Sequence, residues 1–188
     1  MKRTLAAIAT VMLVGCAGGG DLLTSDAGDS GAFTEADIEF FQGMIPHHEQ
    51  AIEMAAMVPL VDVSAVTAEF ADEIRAAQEP EIAEMRAMLR SWGEKEDVHA
   101  MHDTHSSSTH GMMTDEELSL LTSKTGQEFE ISWLRAMIKH HEGAITMSEK
   151  VLTNGANPSV RAMASAILAA QRDEIERMNS QLDSLTLP

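Results

Sequence analysis

The sequence predicts an all-α protein, a four-helix bundle made of two duplicated antiparallel helical hairpins that a long crossover joins. Two observations lead to this prediction. Residues 44–54, MIPHHEQAIEM, return 93 positions later as residues 137–147, MIKHHEGAITM, and residues 71–89 match residues 164–182 at the same offset. In both blocks the apolar residues recur at helical spacing. Because the self-match needs no gaps, it indicates a duplication in which each copy is one hairpin.

The N-terminus predicts export and lipid attachment. Lys2 and Arg3 precede a short apolar run, residues 5–14, that leads into Leu-Val-Gly-Cys at residues 13–16. This order is typical of a signal peptide over residues 1–15, and the run is too short for a comfortable membrane span. The tetrapeptide resembles a bacterial lipobox, so Cys16 would carry a lipid that anchors the protein in the cell envelope. An ordinary secretory signal with an incidental cysteine is the alternative.

Residues 16–33, which follow the predicted cleavage point, are rich in Gly, Ser and Asp and predict a flexible tether. The chain has a formal net charge of -17 at pH 7. Lys2 and Arg3 would leave with the signal peptide, so the mature protein is more acidic still. This balance argues against nucleic acid or anionic membrane surfaces as partners and favours cations.

The first hairpin occupies residues 34–92. Thr34 is a hydroxyl N-cap followed by acidic residues, so the first helix should begin there and run to about residue 57, before Pro59. The second helix should return antiparallel from about residue 65 to residue 92. Its start at Ser64 aligns with Asn157 in the second copy.

The crossover and the second hairpin occupy residues 93–125 and 126–187. Thr114 and Glu117 form a capping box that begins a short helix, which Gly126 can end. The third helix should run to about residue 152, and Asn157 followed by proline begins the fourth. Two hairpins joined by one long crossover have the connectivity of a ferritin-like bundle, which we assign to residues 34–188.

Polar side chains are predicted inside this bundle. With 100° between successive residues, His48 lies in the middle of the apolar face of the first helix, and His47 lies on its margin beside Met54. His141, His140 and Met147 repeat this arrangement. The partner helices turn four further polar residues inward: Gln78, Glu81, Gln171 and Glu174. Burying such groups without partners costs several kcal/mol each, so we expect a polar layer across the bundle.

Two interpretations of this layer remain open. Either it is a hydrogen-bonded network that only sets helix register, which we favour for His48 and His141, or it is a metal site. We favour the metal interpretation for His47 and His140, because a marginal position beside a methionine would leave these ligands accessible. Glutamine and glutamate would then orient the imidazoles.

The crossover contains a low-complexity tract of histidine, methionine and serine, a composition typical of metal binding. Its candidate ligands are His99, Met101, His102, His105, His110, Met112 and Met113. The crossover is not expected to contain a hydrophobic core that its methionines could fill. Met85 and Met178, in contrast, lie at helical spacing and are expected to pack in the core of the bundle. Thioether and imidazole without thiolate suit Cu(I) or Ag(I), so the predicted ion is copper. No organic cofactor is expected.

An enzymatic alternative is a di-iron or di-manganese oxidase on the same bundle. That chemistry requires Glu-x-x-His on two helices. No predicted helix carries this motif. Glu96 and His99 have the required spacing, but they fall in the crossover. We therefore predict a protein without turnover.

The two Met-Ile-x-His-His-Glu-x-Ala-Ile-x-Met segments are each followed by Ile-x-x-x-Gln-x-x-Glu-Ile-x-x-Met. This doubled pattern, over about residues 33–185, resembles the bacterial family named domain of unknown function 305. The resemblance implies a four-helix bundle, often exported, with some periplasmic copper-binding members linked to copper resistance. The ligands that it implies are Met44, His47, His48, Met54, Met137, His140, His141 and Met147. The resulting hypothesis is an envelope-anchored protein that buffers copper or passes it to a transfer partner.

Overall fold

A computed structural model describes residues 32–96 and 109–187, and these residues contain no β-strand. The helices are α1 (Glu35–Met57), α2 (Ala65–Trp92), α3 (Asp115–Thr122), α4 (Gly126–Asn154) and α5 (Pro158–Thr186). The predicted all-α architecture of two long hairpins is confirmed. Several predicted features lie outside the described residues: the signal peptide, Cys16, most of the tether, His99, Met101, His102 and His105.

The helix ends follow the capping signals. Thr34 and Asp37 form a reciprocal capping box at the start of α1, and Thr114 and Glu117 form another at the start of α3. The prediction for Gly126 is wrong: α3 ends at Thr122, and Gly126, with a φ of +54°, is the first residue of α4.

The interior consists of two hydrophobic clusters, and each takes residues from all four long helices. The first cluster joins the N-terminal halves of α1 and α5 to the C-terminal halves of α2 and α4. The second joins the opposite halves and adds Leu118 and Leu121 of α3. Helices α1 and α4 therefore run antiparallel against each other. Among the described helices, none is both long and apolar enough to cross a membrane.

Two carboxylates clasp the hairpins to each other. Asp37 near the start of α1 is fully buried, and its Oδ2 accepts hydrogen bonds from the backbone N–H groups of Ala156 and Asn157 in the α4–α5 turn, at 3.1 and 3.3 Å. Glu130 near the start of α4 accepts from the backbone N–H of Ser64, at 3.2 Å, and also from its hydroxyl. Asp37 and Glu130 are 93 positions apart, so the duplication produced a reciprocal clasp.

Candidate metal centre

The four histidines of the duplicated segments form a row across the interface between α1 and α4. The ring centroids of His47 and His140 lie 3.7 Å apart, and each ring lies 6.5 Å from that of the neighbouring histidine, His48 or His141. On one side of the row, residues of α1 and α4 such as Met44 and Ala144 belong to the first hydrophobic cluster. On the other side, residues of the same two helices such as Ala51 and Met137 belong to the second. We call these four residues the histidine row.

The predicted accessibility of His47 and His140 is wrong, since each is only 1% exposed. The helical wheel correctly placed them beside the apolar stripe of their own helix. It could not show that α4 packs against that margin of α1. Both histidines are therefore buried as deeply as His48 and His141.

The outer histidines are held by carboxylates from the partner helices. Nε2 of His48 lies 2.9 Å from Oε2 of Glu81, and Nε2 of His141 lies 2.8 Å from Oε2 of Glu174. These two bonds confirm that polar residues of α2 and α5 meet the histidines. The glutamate side chains are 27% and 13% exposed, so water reduces the cost of their charge.

These contacts determine the tautomers of three imidazoles. An ionised carboxylate can only accept a hydrogen bond, so the Nε2 atoms of His48 and His141 carry hydrogen. Nε2 of His47 lies 2.9 Å from the carbonyl oxygen of His110, which also only accepts. In the neutral form, each of these rings has its lone pair on Nδ1.

Each imidazole of the row has one buried ring nitrogen without a hydrogen-bond partner. The atoms are Nδ1 of His47, His48 and His141 and Nε2 of His140. Buried polar atoms normally have partners, so four orphaned nitrogens in one row require an explanation. A bound cation would supply the missing partner for such lone pairs.

The inner pair of histidines is neutral at neutral pH. Burial lowers the pKa of His47 to about 3, with the carbonyl of His110 opposing the shift and the neighbouring imidazoles adding to it. Burial, reinforced by the other three imidazoles, also holds the pKa of His140 well below its usual value. A metal ion would therefore compete with few protons for these nitrogens.

Methionine thioethers lie on both sides of the row. Met44 and Met147 belong to the first hydrophobic cluster, and Met54 and Met137 belong to the second. Met85 and Met178 are completely buried in these clusters, in agreement with a packing role. Among the residues that the structure describes, no three His, Cys, Asp or Glu side chains are grouped to hold a metal ion. A site at the row would therefore use few nitrogens or add thioethers.

The two buried glutamines only partly match the expectation. Gln78 and Gln171 are each 3% exposed, as predicted for inward residues. However, the Oε1 atom of each has no partner. Each hairpin therefore presents one orphaned amide oxygen in addition to its orphaned imidazole nitrogens.

A short segment of the crossover, residues 109–113, lies over α1 and α4, and we call it the strap. The side-chain amide of Gln50 donates to the carbonyl of Met113 at 2.8 Å and accepts from its N–H at 2.7 Å. His110 has a φ of +56°, and its backbone sits directly on Gly143. A Cβ atom at Gly143 would lie 1.5 Å from the carbonyl oxygen of His110.

Three predicted crossover ligands belong to the strap. The side chain of His110 is exposed, and Met112 and Met113 are half-buried. The prediction that the crossover methionines have no core to fill is wrong for Met113, which packs against the second hydrophobic cluster. Composition alone could not show that the chain returns to the bundle here.

Sequence reasoning missed Gln50 and Gly143, although a signal was present. The two residues are 93 positions apart and occupy equivalent places in the repeats. One crossover cannot contact both copies in the same way. Gln50 holds the strap by hydrogen bonds, and Gly143 leaves space for its backbone. The difference between glutamine and glycine at these equivalent positions therefore marks where the strap contacts the two repeats differently.

The chain belongs to the family named domain of unknown function (DUF305), which residues 37–182 match. Its structure is similar to that of a DUF305 fragment from Deinococcus radiodurans, with 29% identity and a TM-score of 0.70, over 80% of this chain and 97% of that one. A DUF305 protein from Streptomyces coelicolor, 24% identical with a TM-score of 0.70, covers 80% of this chain and 93% of its own and shares the fold.

CopM in its Cu(II)-bound form is 29% identical to this chain, with a TM-score of 0.69, over 79% of this chain and 96% of that one. Cu(I)-bound and Ag-bound forms of CopM are also similar to this chain. An uncharacterised protein of Acanthamoeba polyphaga mimivirus is 40% identical over 55 residues, which is 29% of this chain and 36% of that protein. The chain therefore spans about a third of the length of that relative.

Proposed function

We propose that this DUF305 protein is an exported, lipid-anchored copper-binding protein that holds copper at the histidine row. It buffers the ion or passes it to a transfer partner, without turnover of its own. The observation that carries the proposal is the set of four buried imidazoles, each with one ring nitrogen lacking a partner. CopM, which is similar to this chain, has copper-bound and silver-bound forms, and this supports copper as the ion.

The chemistry around the row favours monovalent copper. Neutral imidazole and buried thioether are soft or borderline donors, which suit Cu(I) and Ag(I) better than Mg²⁺, Ca²⁺ or Mn²⁺. The nearby carboxylates of Glu81 and Glu174 are engaged by Nε2–H groups of the row. Such a carboxylate fixes the tautomer of a ligating histidine and makes its other nitrogen more basic. We therefore assign the two glutamates as positioning residues.

The most informative experiment is a titration of the mature protein with Cu(I) against a competing chelator. Binding tighter than micromolar is expected for the wild type, and weaker binding is expected for the double variant His47→Ala/His140→Ala. Met85→Leu, which changes a thioether in the packed interior, is the matched control and should keep the wild-type affinity. If the wild type binds no tighter than micromolar, the copper assignment is wrong.

A second variant tests the crossover tract separately. Replacing His99, His102 and His105 by serine leaves the strap intact and should lower the number of bound copper ions. The double variant of the row should lower it independently. If neither change reduces the stoichiometry, both assigned clusters are wrong.

A structural role for the row is the second candidate, and the bonds from His48 to Glu81 and from His141 to Glu174 favour it, since each joins the two helices of one hairpin. This candidate predicts that His48→Ala/His141→Ala destabilises the fold without changing metal binding. It also predicts that copper leaves the melting temperature unchanged. A ligand of the native state must raise it, so thermal unfolding with and without copper separates the two candidates.

The anchor is tested on the full-length chain in cells. Cys16→Ser should release the protein from the membrane fraction, because no lipid could then be attached to residue 16. Ser25→Ala, in the predicted tether, is the matched control and should leave the protein in the membrane fraction. A Cys16→Ser protein that stays with the membranes would contradict the lipid anchor.

A further inference from the structure

An arginine joins α5 to α2 on one side of the bundle. Arg177 of α5 forms an ion pair with Glu73 of α2, with Nη2 2.8 Å from Oε2, and its guanidinium lies 4.9 Å from the ring centre of Phe70, also in α2. The strap lies over α1 and α4, so the two helices that Arg177 joins form the opposite side. We call the line along which α2 faces α5 the seam. Arg177 bridges this seam where it crosses.

The duplication gives the seam a second half in which this bridge is missing. The residues 93 positions away from Arg177 and Glu73 are Glu84 and Ala166. The bonds of the outer histidines and of the clasp repeat in both copies, so Glu84 and Ala166 should face each other as Arg177 and Glu73 do. Glutamate and alanine cannot form an ion pair. One half of the seam is therefore bridged, and the other half is not.

The exposure of equivalent side chains differs between the two halves in the direction that the bridge predicts. Glu81 and Glu174 make the same bond to their histidines, yet the side chain of Glu81 is 27% exposed and that of Glu174 is 13% exposed. Phe70, on which the guanidinium lies, is 2% exposed, whereas its equivalent Met163 is 8% exposed. The end of the histidine row at His48 is therefore closer to solvent than the other end.

The two halves of the seam also differ in charge. In α2, Glu84 lies three residues after Glu81 and therefore shares its side of the helix, whereas in α5 the residue three positions after Glu174 is Arg177. The unbridged half thus carries two carboxylates, and the bridged half carries a carboxylate beside a guanidinium. A cleft lined by charges of one sign raises the local concentration of ions of the opposite sign. A cation is thus attracted to the unbridged half.

We propose that cations enter the bundle through the unbridged half of the seam, beside Glu81 and Glu84, and reach the histidine row at its His48 end. This inference rests on the proposed function and adds the route by which the ion arrives. On the opposite side of the row the strap is in the way, because the carbonyl of His110 is bonded to Nε2 of His47. The missing bridge therefore makes one of two equivalent paths the entrance.

The first test compares His48 with His141 in the metal-free mature protein, by labelling with diethyl pyrocarbonate and mass spectrometry. Both histidines are fully buried, and each is bonded to a glutamate at nearly the same distance, 2.9 and 2.8 Å. They therefore differ mainly in the half of the seam beside them. His48 should be labelled several-fold faster than His141. Equal rates, or faster labelling of His141, overturn the proposal.

Ala166→Arg supplies the missing bridge, because it places a guanidinium opposite Glu84. Ala166 is exposed, so the longer side chain can be accommodated. The variant should slow the labelling of His48 to about the rate of His141 and leave His141 unchanged. If His48 is labelled as fast as in the wild type, the unbridged half of the seam is not the path to the row.

Ser165→Arg is the matched control, since it adds the same charge to the neighbouring exposed residue of α5. Ser165 lies two helical turns before Arg172, which pairs with Glu149 of α4. The control side chain therefore lies on the side of α5 that faces α4. Its labelling rates should equal those of the wild type.

Stopped-flow mixing with Cu(I) held by a weak chelator then measures the rate of uptake. Ala166→Arg should slow uptake several-fold without changing the dissociation constant, because the row itself is intact, and Ser165→Arg should keep the wild-type rate. If Ala166→Arg takes up copper as fast as the control, the ion enters elsewhere and the proposal is wrong. A wild type that binds no copper contradicts the proposed function instead, and the labelling of His48 then decides whether the seam is the entrance to the row.

Discussion

Gly143→Ala should loosen the strap, and the structure predicts the sign of its effect on stability. The added Cβ would lie 1.5 Å from the carbonyl oxygen of His110 and 2.3 Å from its carbonyl carbon. Both atoms belong to the backbone, so no side-chain rotation can relieve the overlap. Gly43→Ala is the matched control, because its Cβ would meet only Sδ of Met147 at 3.6 Å, an ordinary contact.

The expected magnitude follows from opposing effects. Alanine stabilises a helix interior by about 1 kcal/mol relative to glycine, so Gly43→Ala should gain up to about that much. At Gly143 the strap must move, which breaks the bond between His47 and the carbonyl of His110 and leaves a buried donor without a partner. That loss costs about 1–3 kcal/mol. Strain on the two bonds between Gln50 and Met113 adds to it, so Gly143→Ala should be destabilised by about 2 kcal/mol overall.

Urea unfolding followed by circular dichroism measures this difference in the metal-free protein. Labelling with diethyl pyrocarbonate, read by mass spectrometry, measures how accessible His47 and His140 have become. Gly143→Ala should unfold at lower urea than Gly43→Ala, and its inner histidines should react faster. If it is as stable as the control and its histidines are equally protected, the contact of the strap with Gly143 and His47 does not contribute to stability or to the protection of the inner histidines.

Three further predictions concern the clasp and the row. Burial raises the pKa of Asp37 and Glu130, but their hydrogen bonds lower it more, so both lie below the ordinary values of 3.8 and 4.5. The negative charges of Asp37 and Glu130 therefore stabilise the fold above the ordinary pKa values of the two groups, and this stabilisation is lost as the pH falls through their lowered pKa values. Asp37→Asn and Glu130→Gln should unfold at lower urea than the wild type at pH 7, and their stability should fall less than that of the wild type on acidification. Glu81→Gln/Glu174→Gln should weaken Cu(I) binding about tenfold in chelator competition while the circular dichroism spectrum stays unchanged, and unchanged affinity would contradict their positioning role. Copper at a hundred times its dissociation constant should stabilise the wild type by about 2.7 kcal/mol, measured as a rise in melting temperature, and no rise would favour the structural role.

The sequence alone determined the helices and the duplication. Apolar spacing, the capping residues Thr34, Thr114 and Asn157, and the offset of 93 positions are local or repetitive signals, and the structure agrees with them. The meeting of α1 histidines with α2 carboxylates was also predictable, because each hairpin turn sets the depth at which its helices face each other. Helical spacing then places the histidines and the glutamates on the sides of the two helices that face each other.

Only the tertiary structure decided which of these residues are buried and what covers them. His47 lies on the margin of its own helix, but α4 packs against that margin, so the pair with His140 is enclosed. The clasp and the strap also depend on packing between elements far apart in sequence. Helical periodicity describes one helix at a time, whereas burial depends on the neighbours that all the helices bring together. The two repeats are similar in sequence, but the single crossover packs against them unequally. Gln50 and Gly143 therefore have surroundings that the repeat alone does not predict.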